Sequence, residues 1–123
     1  MKKLPFAAAA FVIALLVLPV SGIAHHGWSW TTGGNIELVG IIRKVSLGMP
    51  HGILHVEAEG ETWTVEVGQP WRNERAGLKP GDLAVGVELR AVGEPSAEVS
   101  KKRMKAERLY LGKREFNLYP DRN

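Results

Sequence analysis

The feature that most restricts the fold of this chain is a series of short apolar stretches, each ended by glycine or proline. In the clearest of them, residues 63–67 and 83–91, every second residue is apolar. Alternation with a period of two puts apolar side chains on one face of a β-strand and polar ones on the other. Strands this short, separated by turns, predict an all-β chain whose sheet curls around a single core.

The remaining segments complete the predicted architecture. Gly40 marks a bulge or bend inside a stretch rich in Val, Ile and Leu. Lys79-Pro80-Gly81-Asp82 has the residues of a tight turn. Together the elements predict a small closed antiparallel barrel of OB-like type, with five or six strands and one short helical turn. They are strands at 36–47, 53–58, 63–67 and 83–91, helical turns at 70–77, a polar loop at 93–103, and a closing hairpin of 104–111 with 115–119.

The first 24 residues have the organisation of a secretory signal peptide. Two lysines form a positive start, residues 4–20 are almost uninterruptedly apolar, and Gly22 and Ala24 are the small residues that signal peptidase requires. The apolar run is at the lower limit for crossing a membrane, and no positive cluster follows it. We expect cleavage after Ala24, which leaves residues 25–123 as one periplasmic or secreted barrel domain with no membrane attachment.

Composition excludes several classes of function. The chain has no cysteine, which rules out disulfide scaffolds, thiolate zinc sites and iron–sulfur clusters. The part after the leader is too short for a doubly wound nucleotide-binding fold or a TIM barrel. The net charge of +3 falls to +1 without the two leader lysines. The basic run at 101–105 is flanked by Glu98 and Glu107, so it indicates a solvated face, and no nucleic-acid partner is expected.

The histidines are the candidates for chemistry: His25 and His26 at the mature start, and His51 and His55 around the second strand. Cleavage after Ala24 would place the amine of His25 beside its own imidazole, and these two groups can chelate one ion. His51 lies in a Pro-His turn, where a ligand can be held rigidly. His55 would lie about 13 Å from His51 along a strand, on its polar face, so we interpret it as a surface residue.

The predicted metal ligands are therefore His25, His26 and His51. Imidazoles and an amine are nitrogen donors that favour Cu(II), with Zn(II) as the alternative, over Mg²⁺ or Ca²⁺. The spacing leaves a second interpretation open, in which the two N-terminal histidines belong to a frayed terminus and His51 only caps a turn. Trp28 and Trp30 flank this region. We expect them to pack against the barrel, and the alternative is a stacking platform for a sugar or a peptide.

Three short motifs follow each other along the chain. Ala24-His25-His26 spans the predicted cleavage site, Pro50-His51 follows the first strand, and Lys-Pro-Gly-Asp comes later at 79–82. With these motifs the sequence resembles a family of small exported proteobacterial proteins whose domain has no known function. The family usually has asparagine where this chain has Met49. The resemblance covers nearly the whole mature chain, implies the fold and the export, and leaves His55 outside the motifs.

Two functions of different classes follow. The first is an exported metal-binding protein that holds copper, or zinc, for storage, delivery or sensing. The second is a metal-free OB-like interaction module that binds an oligosaccharide, a peptide or an envelope protein through its loops and the region of Trp71. Enzymatic activity is not expected, because GxSxG, HExxH and a phosphate-binding glycine loop are absent. Copper enzymes that activate oxygen at an N-terminal histidine have larger sandwich domains.

Overall fold

A computed structural model describes residues 27–122, so His25, His26 and the predicted leader lie outside the described part of the chain. Within it, six strands, one α-helix and one 3-10 turn follow each other. They are β1 (Ile36–Ser46), β2 (Ile53–Ala58), β3 (Glu61–Glu66), α1 (Pro70–Arg75), β4 (Glu88–Pro95), β5 (Arg103–Leu111), β6 (Arg114–Asn117) and the 3-10 turn (Pro120–Arg122). No helix among these residues has the length and apolar character needed to cross a membrane.

The strands form one sheet in the order β3-β2-β1-β4-β5-β6, and a further pairing of β3 with β5 closes it. The closing pair is parallel, with Thr64 opposite Arg103 and Glu66 opposite Lys105, whereas the other pairs are antiparallel. The result is a closed five-stranded mixed barrel with β6 added to its outside. The predicted OB-like barrel with one short helical turn is confirmed, and α1 lies between the third and fourth strands as expected.

Two glycines allow neighbouring strands to approach closely enough for the barrel to close. A Cβ atom on Gly40 would lie 2.3 Å from the carbonyl oxygen of Glu57. On Gly93 it would lie 2.0 Å from the carbonyl oxygen of Lys105, beside a register shift between β4 and β5. Neither distance is compatible with a side chain, so both positions require glycine. The register shift of β1 lies between Ile42 and Lys44 rather than at Gly40, where the sequence predicts a bulge or bend.

The core lies inside the barrel and is made by alternate residues of every strand of the closed sheet. On β2, for example, Leu54, Val56 and Ala58 are buried, whereas Glu57 is exposed. β3 contributes Val65 and β5 contributes Met104, Ala106 and Leu109. The alternation therefore predicts the inner face of the barrel.

The fourth strand begins later than the alternation predicts. Residues 83–87 lie in turns, Gly86 has a φ of +94°, and Val85 is 64% exposed. The backbone of Ile42 in β1 accepts a hydrogen bond from Gly86 at 2.7 Å and donates one to Val87 at 3.0 Å. Leu83 is 5% exposed and belongs to the core. β4 instead extends to Pro95, into the segment predicted as a loop. Without a partner strand beside it, an alternating pattern does not make a strand.

Candidate functional site

A polar cavity of about 630 Å³ lies on the outside of the barrel, beside the closing pair of β3 and β5. Its walls come from five parts of the chain: the segment before β1, the β1–β2 loop, the start of α1, strand β5, and the segment after β6. The lining residues are Trp28, Pro50, His51, Gln69, Arg72, Lys105, Tyr119, Asp121 and Arg122. This volume is in the range of small-molecule sites.

The closing strands bury a pair of opposite charges beside the cavity. Glu66 and Lys105 are register partners and are only 6% and 1% exposed. The Lys105 Nζ lies 3.9 Å from the Glu66 Oε2 and donates a hydrogen bond to the carbonyl oxygen of Gly27 at 3.0 Å. Arg103 lies 3.6 Å from the Glu66 Oε1. Glu66 is therefore approached by two cations of β5 from the outside of the barrel.

The interpretation of residues 101–105 as a solvated basic face is wrong for Lys105. Lys101 and Lys102 are exposed and pair with Glu98 and Glu61, but Lys105 is covered by Trp28 and Tyr119. Burial lowers the pKa of Lys105, the attraction of Glu66 opposes this shift, and the nearby arginines, Arg72 first among them, add to it.

His51 is placed against the buried carboxylate of this pair. Its Nδ1 lies 3.0 Å from the Glu66 Oε2, and the His51 side chain is 25% exposed. The β1–β2 loop is fixed here because Gly52 exchanges backbone hydrogen bonds with the end of β3, to Gly68 at 3.0 Å and from Val67 at 2.8 Å. These bonds tie the Pro-His turn to the residues that directly follow Glu66.

The first described residues, Gly27 and Trp28, lie at the same cavity. Gly27 accepts the hydrogen bond from Lys105, and the next residue, Trp28, is 6% exposed. The Trp28 ring packs edge-on against Tyr119 at 5.1 Å, and the Arg122 guanidinium stacks 3.8 Å from the Trp28 centroid. The predicted packing role of Trp28 is confirmed. The positions of His25 and His26, which precede Gly27, are outside the described residues.

Arg122 fastens the C-terminal segment to the outside of the barrel. It pairs with Glu94 of β4 and donates to the Glu107 Oε2 at 3.2 Å. Both carboxylates are nearly fully buried and have further donors: Thr31 and the Gly33 amide for Glu94, and Asn35 for Glu107. Burial tends to raise the pKa of Glu94, but the hydrogen bonds from Thr31 and Arg122 outweigh it and hold this pKa below its usual value.

Arg72 of helix α1 lines another wall of the cavity. Pro70 begins the helix, and Asn73 holds it by exchanging two 2.9 Å hydrogen bonds with the backbone of Gly68. Arg72 then points its guanidinium between the rings of Trp71 and Tyr119, at 4.6 and 4.2 Å. One guanidinium nitrogen donates to the carbonyl oxygen of Leu118 at 3.1 Å.

Of the predicted ligands, only His51 lies within the described residues, and it lines the cavity. His55 is on the outer face of β2, opposite Lys44 and Thr64 and away from the cavity lining, as the prediction of a surface residue requires. Between residues 27 and 122, no three His, Cys, Asp or Glu side chains are grouped so that they could hold a metal ion.

Sequence reasoning missed Glu66, Arg72, Lys105 and Arg122 as parts of this site. A weak signal exists for two of them, because Glu66 and Lys105 alternate with buried residues of β3 and β5 and so share the outer face. The residues that cover this outer face, Trp28 and Tyr119, are distant in sequence from both strands. The sequence around Glu66 and Lys105 therefore does not indicate that the face is covered.

Comparisons with known proteins support the fold and leave the activity open. No curated protein matches the sequence. Among solved structures, a chain of the S. pombe Stn1-Ten1 complex is similar with a TM-score of 0.52 and 15% identity, over 65% of this chain and 59% of that one. A ZRD-deleted mutant of TiaS in complex with agmatine gives a TM-score of 0.48 and 11% identity, over 63% and 21%.

At these identities the likeness concerns the fold alone, and this chain spans less than two thirds of either matched chain. Among protein families, residues 13–105 match one described as "Family of unknown function (DUF6152)". The matched range includes β1 to β4 and His51.

Proposed function

The chain belongs to the DUF6152 family of unknown function, and from this premise we propose that it is an exported protein that binds one transition-metal ion. The ion is copper, with zinc as the alternative, and the ligands are His25, His26 and His51. The observation that carries the proposal is the 3.0 Å contact between the His51 Nδ1 and the buried Glu66 carboxylate, at a cavity against which the N-terminal segment is anchored.

The contact with Glu66 prepares His51 for coordination. A carboxylate that accepts a hydrogen bond from one ring N–H fixes the tautomer and the ring orientation, so that the other nitrogen becomes the metal ligand. Here Nδ1 faces Glu66, which assigns Nε2 to the metal. The same arrangement raises the basicity of the ligating nitrogen.

The anchoring of Gly27 supports a contribution from the two preceding histidines. The Gly27 carbonyl accepts a hydrogen bond from Lys105, and the Lys105 ammonium group lies near the Glu66 carboxylate. The same carboxylate contacts the His51 ring. His26 is joined to Gly27 by one peptide bond, and consecutive Cα atoms are about 3.8 Å apart. We propose that the two histidines before Gly27 supply the amine and the imidazoles that act together with His51.

The donor set selects the ion. Imidazole nitrogens and an amine suit Cu(II) best among the divalent first-row metals, and Zn(II) less well. The amine has to lose its proton when the metal binds, which is feasible near neutral pH because α-amino groups titrate at about 7.7–8.0. Removal of the leader would create this amine, so the site would be completed only after export, in keeping with storage, delivery or sensing of copper outside the cytoplasm.

The test is a competition titration of Cu(II) into the mature protein that starts at His25. We expect His51→Ala to weaken binding by at least about tenfold, because the ligand on the rigid part of the site is lost. His55→Ala is the matched control, since it removes a histidine from the outer face of β2 and should leave the affinity unchanged. Equal affinity of the His51→Ala variant and the unmodified protein would contradict the proposal.

The alternative function, a metal-free interaction module, has one observation in its favour. Trp71 is 47% exposed at the start of α1, and its indole is held by a 3.1 Å hydrogen bond to the side chain of Gln69. A fixed, exposed indole is a stacking surface for a sugar ring or a peptide side chain. On this alternative, Trp71→Ala reduces retention of the protein on immobilised cell-envelope glycans or peptides several-fold, whereas His51→Ala has no effect. Retention that is unchanged by Trp71→Ala would exclude it.

A further inference from the structure

We propose that the cavity is also a binding site for a small oxyanion, a carboxylate or a phosphate group, which is held by the Arg72 guanidinium. This site differs from the proposed metal site in its residues and in its ligand, and it is present in the metal-free protein. It rests on the geometry of Arg72 and on the charges around it.

Arg72 is held in a fixed orientation with part of its hydrogen-bonding capacity unused. Its guanidinium lies between the rings of Trp71 and Tyr119, and one terminal nitrogen is committed to the carbonyl oxygen of Leu118. The Nε atom is buried and has no hydrogen-bond partner among the described residues. A buried N–H without an acceptor is unfavourable, and an oxygen placed there would satisfy it.

The planar guanidinium makes an oxyanion the fitting ligand. Nε and the second terminal nitrogen form one edge of the guanidinium, and two parallel N–H groups on such an edge match the two oxygens of a carboxylate or a phosphate. Stacking on two aromatic rings keeps that edge in one place, so little rotamer freedom is lost when the ligand binds.

Charge pairing around the cavity leaves Arg72 without a counter-charge. Arg122 pairs with Glu94 and Glu107, and Arg103 and Lys105 both approach Glu66. Within the part of the chain that the structure describes, no carboxylate lies within 4.0 Å of Arg72, although Asp121 lines the same cavity. The positive charge of Arg72 also contributes to the lowered pKa of Lys105. An anion beside Arg72 would supply the missing counter-charge and would oppose the lowering of the Lys105 pKa.

Other donors and surfaces in the cavity fit an organic anion. Gln69 lines it next to Arg72 and offers the N–H groups of its side-chain amide. Trp28 and Tyr119 provide apolar walls for a carbon skeleton. The volume of about 630 Å³ accommodates a small molecule rather than a polymer.

The test is isothermal titration of metal-stripped mature protein with inorganic phosphate and, separately, with acetate. We expect saturable binding of at least one of them at millimolar or lower concentration. Arg72→Gln should weaken it at least tenfold. Arg75→Gln is the matched control, because Arg75 is an exposed arginine of the same helix and should not change the affinity. Tighter binding of acetate would identify a carboxylate site, and tighter binding of phosphate a phosphate site.

A second variant separates the geometry of the guanidinium from its charge. Arg72→Lys keeps the positive charge but loses the two parallel N–H groups, so binding should again be weaker than in the unmodified protein. Far-UV circular dichroism checks that both variants fold. Absence of saturable binding, or equal binding by the Arg72 variants and the Arg75→Gln protein, would overturn the proposal. Since no metal is present, the outcome is independent of the copper titration.

Discussion

At the scale of single residues, the two buried charges Glu66 and Lys105 depend on each other. A charge buried in a protein is tolerated when an opposite charge and hydrogen bonds compensate it, and removal of one partner leaves the other uncompensated. Glu66 also approaches His51, so the same carboxylate would serve both the stability of the barrel and the orientation of the histidine.

Replacement of Glu66 by leucine should therefore destabilise the fold strongly. We expect Glu66→Leu to lower the free energy of unfolding by about 3–5 kcal/mol in urea denaturation, because Lys105 is left buried without its partner. The double variant with Lys105→Met should recover much of this loss. Glu57→Gln is the control: Glu57 pairs with Arg43 at 2.8 Å on the surface, and such pairs contribute at most about 1 kcal/mol. A Glu66→Leu effect as small as that of the control would contradict this view.

At the scale of strands and turns, the inner face of the barrel could be predicted from the sequence and the outer face could not. Alternation identified Leu54, Val56 and Val65 as core residues because the period of a strand is local. It failed to predict the backbone at 83–87, which lies in turns and bonds to the backbone of Ile42, although Leu83 is buried in the core. Whether a strand forms there depends on a partner, which sequence periodicity does not contain.

The same limit applies to the candidate site. A Pro-His turn can be found in the sequence, but the carboxylate that His51 faces is on β3, and the cover of Lys105 comes from Trp28 and Tyr119. These residues meet only because the parallel pair of β3 and β5 closes the barrel. Contacts of this kind are set by topology, so they have no signature in residue spacing.

The close approach of β4 and β5 at Gly93 leads to a prediction at the scale of strands and turns. Because a Cβ atom there would lie 2.0 Å from the carbonyl oxygen of Lys105, Gly93→Ala should force the strands apart and lower the free energy of unfolding by about 1–3 kcal/mol. Gly34→Ala is the control, since nothing lies within 4 Å of a Cβ atom at that position. Chemical denaturation of both variants measures the difference, and equal stabilities would show that the strands can adjust.

At the scale of the whole molecule, the carboxylates that bind Arg122 connect both ends of the described chain to the barrel. Glu94 accepts from Thr31 and Gly33 near one end and pairs with Arg122 near the other. Since its pKa is held below 4.5 in the folded protein, Glu94 contributes stability above the pKa of the unfolded chain, and this contribution is lost as the pH falls through the folded value.

We therefore expect the melting temperature to fall on acidification below about pH 4.5, and to fall less steeply in the Glu94→Gln variant than in the unmodified protein. Glu98→Gln serves as the control, because Glu98 is exposed and pairs only with Lys101 among the described residues. Thermal unfolding followed by circular dichroism between pH 3 and pH 7 measures the slopes. Identical slopes for the Glu94→Gln and Glu98→Gln proteins would show that Glu94 does not carry this dependence.

Trp28 and Tyr119 lie near the two ends of the described chain, and their ring centroids are 5.1 Å apart. A short linker could join the two ends, and the chain could be reopened at the tight turn of Glu59 and Gly60 between β2 and β3. Such a circular permutant would keep the barrel, His51 and Arg72 but would have no amine at the cavity. The permutant would thus separate the contribution of the barrel and its cavity to binding from that of the N-terminal amine.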